Sequence, residues 1–195
     1  MCESTCLPGQ CGFDECGEPC GECPEHHYCA EDNFCAEMRY VFVTANTYPG
    51  DFPQQTPDEI CLMAAEDAGL SGLYRPIVSM TYEPAMQRIQ GEGPIYNRAG
   101  EMVVQSIEDL WITESQELLA PIDVDQFGSP VSNNVQVWTG TTFDGQTSPD
   151  NCYNWTSGSA RGQVGITGTT IFRWLDSGNS YSCYYSYRLY CIRIG

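Results

Sequence analysis

The chain has 195 residues, 42% of them hydrophobic, which suffices for one packed core with a small appendage and argues against two equal domains. Its formal net charge is −18 and its eight cationic side chains are all arginines, a balance that repels nucleic acid, heparin-like polyanions and anionic lipid. Twelve cysteines are typical of secreted chains, and no apolar run approaches the ~20 residues that cross a bilayer, so we predict an extracellular or cell-surface protein without a membrane span.

The first 38 residues form a cysteine-rich segment with very few aliphatic side chains. Its cysteines alternate with glycine, proline and acidic residues, and they are Cys2, Cys6, Cys11, Cys16, Cys20, Cys23, Cys29 and Cys35. Because this segment can bury so little apolar surface, its order must come from disulfides. Eight thiols allow on the order of a hundred pairings, so the connectivity stays open. We predict a disulfide-stapled stalk over residues 1–38.

A zinc site is the alternative for the middle of the stalk. Cys20-x-x-Cys23 has the ligand spacing of zinc sites, and His26 and His27 follow closely. An oxidising compartment favours disulfides over thiolate ligands, and the even number of cysteines leaves no thiol over. We therefore favour disulfides, with the two histidines at an exposed loop tip.

The pattern changes at residue 39, and residues 39–195 are predicted to form one domain. Tyr40-Val-Phe-Val-Thr44 has the pattern of a β-strand. A short helical pattern begins near Ser106, and the remaining sequence indicates short strands separated by Gly, Asn, Asp and Ser. The domain is thus expected to combine helices with strands.

A helix start is encoded in Thr56-Pro-Asp-Glu59. Thr56 can act as the N-cap, Pro57 suits the first helical position, and Glu59 can close a capping box. The helix is predicted to run to about Ala68 and to stop at Gly69.

Five sequence blocks follow one another over most of residues 40–195. They are Ala68-Gly-Leu-Ser-Gly-Leu-Tyr-Arg75, Ser106-Ile-Glu-Asp-Leu-Trp111, Val137-Trp-Thr-Gly140 with Asp144-Gly145, Cys152-Tyr-Asn-Trp155, and Tyr187-Arg-Leu-Tyr-Cys191. These blocks resemble the C-type lectin-like fold, and more sharply its endostatin branch. They look most similar to a bacterial domain family of unknown function that occurs in secreted proteins and lipoproteins. The resemblance implies an α+β, C-type lectin-like (endostatin-like) domain preceded by the small disulfide-rich segment.

The same resemblance implies how the four remaining cysteines pair. In the C-type lectin-like fold the first helix is tied to the final strand, and a second bridge staples the loop region. On this chain that implies the disulfides Cys61–Cys191 and Cys152–Cys183.

The loop-rich C-terminal half contains the candidate ligand contacts. Aromatic side chains stack on sugars and fill protein interfaces, although core packing is the default role of tryptophan. The candidates are Trp155, Trp174, Tyr181, Tyr184 and Tyr185.

Calcium is the candidate ion for the loop region of the second part of the chain, and no cofactor is predicted. Asp144, Asp150 and Asn151 could offer oxygen ligands from a single loop. The alternative is a plain Gly/Asp turn at Asp144-Gly145. The Glu-Pro-Asn, Gln-Pro-Asp and Trp-Asn-Asp triplets of calcium-dependent lectins do not occur in the sequence.

Catalysis by a Ser-His-Asp or Cys-His arrangement is disfavoured, because both histidines lie in the stalk and the other thiols are expected in bridges. We predict a non-enzymatic recognition or adhesion module, secreted from or displayed on a bacterial cell, with a glycan or protein surface as its partner. One alternative is a structural subunit whose stalk contacts copies of itself in an extracellular assembly or filament. Another is a diversified ligand-binding protein, suggested by the Asn/Ser/Tyr-rich C-terminal stretch.

Overall fold

The computed structural model of the chain describes residues 6–24, 26–111 and 116–194. Two compact units make up the chain, Met1–Met38 and Arg39–Gly195. The division falls at the point where the composition of the sequence changes. Among the described residues, no helix combines the length and the apolar character that a membrane-spanning helix requires.

The first unit consists of two short antiparallel ladders held by disulfides. The ladders pair β1 (Gly12–Phe13) with β2 (Pro19–Gly21) and β3 (His27–Cys29) with β4 (Cys35–Glu37). The bridges join Cys6 to Cys20, Cys11 to Cys29 and Cys23 to Cys35. Cys16 is also disulfide-bonded, and Cys2 lies outside the described residues. The prediction of a cysteine-rich, disulfide-bonded segment is confirmed.

The zinc alternative is wrong, because Cys20 and Cys23 are each bonded to another cysteine and so offer no thiolate. Three stalk sulfurs, those of Cys11, Cys23 and Cys29, do lie within 4.8 Å of one another. All three belong to disulfides, so this cluster offers no thiolate ligand either. Of the two histidines, His26 lies in a turn and His27 begins β3.

The second unit is built on a mixed sheet with few helices. In the described part of the chain its strands are β5 (Arg39–Val43), β6 (Tyr48–Pro49), β7 (Leu73–Pro76), β8 (Ile95–Tyr96), β9 (Met102–Val104), β10 (Gln136–Trp138), β11 (Arg161–Ile166), β12 (Asn179–Ser182) and β13 (Ser186–Ile194). Their order is β12-β11-β10-β13-β5-β8-β9, and β6 and β7 also pair with β13. The pairs β10–β13 and β5–β8 are parallel, whereas the other pairs are antiparallel. The predicted combination of sheet and helix is confirmed at this level.

Helix α1 (Pro57–Asp67) begins and ends where its sequence signals lie. The Thr56 hydroxyl accepts a hydrogen bond from the Glu59 amide, and the Glu59 carboxylate accepts one from the Thr56 amide at 2.8 Å. The Thr56 amide and the Thr56 hydroxyl both donate to the Glu59 carboxylate and hold the pKa of Glu59 below its usual value. Ala68 caps the C-terminus and Gly69 follows with φ +69°, the left-handed conformation that glycine adopts at little cost. The predicted capping box and helix end are confirmed.

The other helices are short. Helix α2 covers Ala85–Arg88, and two 3-10 helices cover Ile107–Leu110 and Phe172–Trp174. Ser106 is the N-cap of the first of these 3-10 helices, which lies where the sequence indicated a short helical pattern.

The hydrophobic core lies around the central strand β13. Tyr190 and Ile192 of β13 are fully buried in one cluster with Val41 and Val43 of β5 and with Trp174. Helix α1 is fixed covalently to this strand by the disulfide Cys61–Cys191.

Candidate functional site

A left-handed turn at residues 152–155 is the most unusual backbone feature of the second unit. Cys152, Tyr153, Asn154 and Trp155 have φ values of +56°, +51°, +60° and +60°. Hydrogen bonds of helical spacing close the turn, from the Trp155 amide to the Asn151 carbonyl at 2.9 Å and from the Thr156 amide to the Cys152 carbonyl at 3.0 Å. A left-handed conformation costs each non-glycine residue roughly 1–2 kcal/mol. The turn therefore stores several kcal/mol of backbone strain.

Contacts to distant segments hold the turn in this conformation. The amide oxygen of Asn154 accepts a hydrogen bond from the Thr81 amide at 2.8 Å, and the Trp155 indole donates to the Ser79 carbonyl at 2.9 Å. The disulfide Cys152–Cys183 attaches the first residue of the turn to the loop between β12 and β13. The strain is thus maintained by the surrounding structure.

The turn forms one wall of an open groove of about 540 Å³. The start of α1 and the segment before it form another part of the lining. The lining residues are Asp51, Phe52, Thr56, Pro57, Asp58, Met80, Asn154, Trp155 and Thr156. Phe52, Pro57 and Trp155 are buried, whereas Thr56, Asn154 and Thr156 are exposed. The groove therefore has an apolar floor and a polar rim.

The two carboxylates of the groove differ in their partners. Asp58 accepts two hydrogen bonds from the Arg88 guanidinium, at 3.0 and 2.7 Å, and lies 3.7 Å from Arg75. Within the part of the chain that the structure describes, Asp51 has no hydrogen-bond or ion-pair partner. Asp51 therefore presents a negative charge that the unit leaves uncompensated.

A group of tyrosines lies next to this groove. A β-carbon placed on Gly158 would lie 2.8 Å from Asp51 Oδ2 and 2.9 Å from the Tyr184 ring, so Asp51 and Tyr184 border the same glycine. Tyr153 and Tyr184 follow the two cysteines of the disulfide Cys152–Cys183, and both residues are 74% exposed. Accessible aromatic surface thus borders the groove.

Two of the candidate tyrosines, Tyr181 of β12 and Tyr185 of the following loop, belong to an aromatic cluster. Tyr187 lies 5.5 Å from Tyr181 and 6.2 Å from Tyr185 between ring centroids, and 4.7 Å from the buried Trp138. Burial raises the pKa of Tyr187. Tyr184 and Tyr185 are exposed and Tyr181 is half-buried, so these three predicted residues offer ring surface to a ligand.

The predicted stacking roles of the two tryptophans are wrong. Trp174 is fully buried and packs against Tyr190, with 5.6 Å between ring centroids. Trp155 is only 4% exposed and packs against Phe52 and Trp138, so it presents very little ring surface to the groove. Neither indole face is open to a sugar.

Two of the three candidate calcium ligands, Asp144 and Asn151, have other side-chain partners in the structure. Asp144 accepts a hydrogen bond from the Thr142 hydroxyl at 2.6 Å within the turn that the sequence also indicated. The amide oxygen of Asn151 accepts from the Asn154 amide at 3.1 Å and so caps the left-handed turn. Asp150 lies beside Asn151 and lines a separate shallow pocket with Tyr153. Calcium binding stays a prediction, and the turn explains Asp144 without it.

The four cysteines of the second unit are joined as Cys61–Cys191 and Cys152–Cys183, the pairs that the resemblance implies. The groove residues Asp51, Phe52 and Met80 were missed by the sequence analysis, because they come from segments that no sequence motif connects.

No protein-family model matches the chain, and no curated protein matches it with significance. The geometry of the site is therefore the basis for a functional proposal.

Proposed function

We propose that this chain is a non-enzymatic recognition or adhesion module that acts outside a bacterial cell and binds a glycan or protein surface. The observation on which the proposal depends is the left-handed turn at residues 152–155 beside the open groove. Strained backbone of this kind persists mainly at ligand clamps and other functional sites. The side chains of Cys152, Asn154 and Trp155 make structural contacts, whereas Tyr153 is 74% exposed. At that position a turn that served stability alone would use glycine.

The disulfides support both the fold and the location in this proposal. Cys61–Cys191 ties the first helix of the unit to its last strand, and Cys152–Cys183 staples the loop region. This is the bridge arrangement of the C-type lectin-like (endostatin-like) fold, which we propose for residues 39–195. Disulfides in both units persist most readily in an oxidising compartment.

Binding of the labelled full-length chain to a glycan array and to a panel of cell-surface proteins tests the proposal. We expect a ligand that the wild-type protein binds and that the Tyr184→Ala variant binds more weakly, because the Tyr184 ring is exposed at the rim of the site. Substitution of an exposed ring makes little difference to folding, so the variant should unfold at the same denaturant concentration as the wild type. Absence of binding to every probe, with and without calcium, would remove support for a recognition role.

A structural subunit that assembles through its stalk is the alternative, and the charges argue against it. Nine of the 26 acidic residues and none of the arginines lie before residue 39. An interface between copies would need arginines opposite the acidic stalk. Six of the eight arginines already donate hydrogen bonds within the described part of their own unit: Arg39, Arg75, Arg88, Arg98, Arg161 and Arg188.

Light scattering before and after deletion of residues 2–38 separates the two functions. We expect the mass of a monomer for both chains. An oligomer that disappears on deletion would replace the recognition proposal with the structural one.

A further inference from the structure

We infer that the groove beside the left-handed turn accepts a basic side chain, arginine or lysine, from a partner protein. This inference rests on the proposed recognition function and names the chemistry of the ligand. The occupant follows from the charge of the groove, the apolar character of its floor and the aromatic ring that lies beside it.

Charge complementarity favours a cation. Asp58 is compensated by Arg88 and Arg75, whereas the nearby Asp51 carboxylate has no partner among the described residues. A buried or half-buried cationic group would therefore meet one free carboxylate on the groove wall. The net charge of −18 attracts cationic ligands over long distances and accelerates their association.

The floor suits the aliphatic part of a long basic side chain. Phe52, Pro57 and Trp155 are buried apolar residues of the lining, and Met80 adds a flexible thioether. Arginine and lysine lay their methylene stems on apolar surface and keep the charged head at a polar rim. The Tyr184 ring beside Asp51 adds an aromatic surface over which a guanidinium or ammonium group can lie.

A sugar fits this groove less well. Sugar rings stack on the open faces of aromatic side chains, and the two aromatic groups of the floor are 4% and 9% exposed. The volume of about 540 Å³ is large enough for one long side chain and the peptide backbone next to it. A protein segment with a protruding basic residue is therefore the favoured occupant.

The test uses peptides selected from a random displayed library against the full-length chain. We expect the selected peptides to share one arginine or lysine flanked by apolar residues. Replacement of that arginine by citrulline, which has the same shape but no charge, should weaken binding at least tenfold. Peptides without a shared basic residue, or equal binding by the citrulline form, would overturn the inference.

Two variants of groove residues and one control variant locate the binding in the groove. Asp51→Asn should weaken binding of the selected peptide at least fivefold, as measured by fluorescence anisotropy. Glu108→Gln removes the same charge from an exposed position that does not line the groove, and it should change the dissociation constant less than twofold. Thr156→Trp keeps the charge and fills the groove from its exposed rim, and it should also weaken binding.

The pattern of outcomes separates this inference from the proposed function. Equal weakening by Asp51→Asn and Glu108→Gln would show that the net charge alone attracts the peptide, and would overturn the assignment to the groove. Glycan binding on the array together with failure of the peptide selection would overturn the inference and leave the recognition function standing. Failure of both the array and the selection would overturn both.

Discussion

Replacement of Cys61 and Cys191 together by alanine is expected to lower the free energy of unfolding by about 5 kcal/mol. The two cysteines are 130 residues apart, and their bridge removes the conformational freedom of nearly the whole second unit from the unfolded chain. Both sulfurs are fully buried between α1 and β13, so the bridge also contributes to core packing. Urea denaturation of the oxidised double variant measures this loss.

The Cys152→Ala, Cys183→Ala double variant is the matched comparison. Its bridge closes a loop of only 31 residues, for which the same chain-entropy relation gives about 4 kcal/mol. Removal of the bridge also lets the left-handed turn relax, which returns part of the stored strain and reduces the loss further. A larger loss for this pair than for Cys61 and Cys191 would contradict the account.

Gly165→Ala is expected to destabilise the protein by roughly 3 kcal/mol or more. A β-carbon on this residue of β11 would lie 1.8 Å from the backbone carbonyl oxygen of Trp174. Because the obstacle is backbone rather than a flexible side chain, the 3-10 helix at Phe172–Trp174 would have to move away from the sheet. That movement would unpack Trp174 from the core.

Gly178→Ala is the control for this substitution, and thermal unfolding of both variants is the measurement. Gly178 has φ +76° with nothing within 4 Å of a β-carbon, so alanine there costs only the backbone preference, about 1 kcal/mol. Equal melting temperatures for the two variants would contradict the close packing of β11 against the 3-10 helix.

Features with local signals were predictable from the sequence. Helix α1 follows from Thr56, Pro57 and Glu59 at one end and Gly69 at the other, all within a turn of the residues that they affect. The disulfide-rich nature of the stalk follows from its composition. Its connectivity does not, because the pairing depends on a three-dimensional path that the cysteine spacing leaves open.

The site itself was less predictable, because it depends on contacts between distant segments. The left-handed turn is held by hydrogen bonds from Asn154 to Thr81 and from Trp155 to Ser79, which join residues more than 70 positions apart. Nothing in the local sequence favours four consecutive positive φ angles, apart from the tolerance of asparagine for this conformation. Trp174 was misassigned for a related reason, since a loop-rich sequence does not reveal which aromatic side chains the core covers.

The stability and binding of Tyr153→Gly, measured beside those of Tyr153→Ala, test most directly whether the turn is retained for binding. Both variants remove the same exposed ring, but only glycine adopts φ near +51° at little cost. We predict that the glycine variant is more stable than the alanine variant by about 1 kcal/mol, and that both bind the ligand found on the array or in the peptide selection more weakly than the wild type. A glycine variant no more stable than the alanine variant, or undiminished binding by both, would contradict the account.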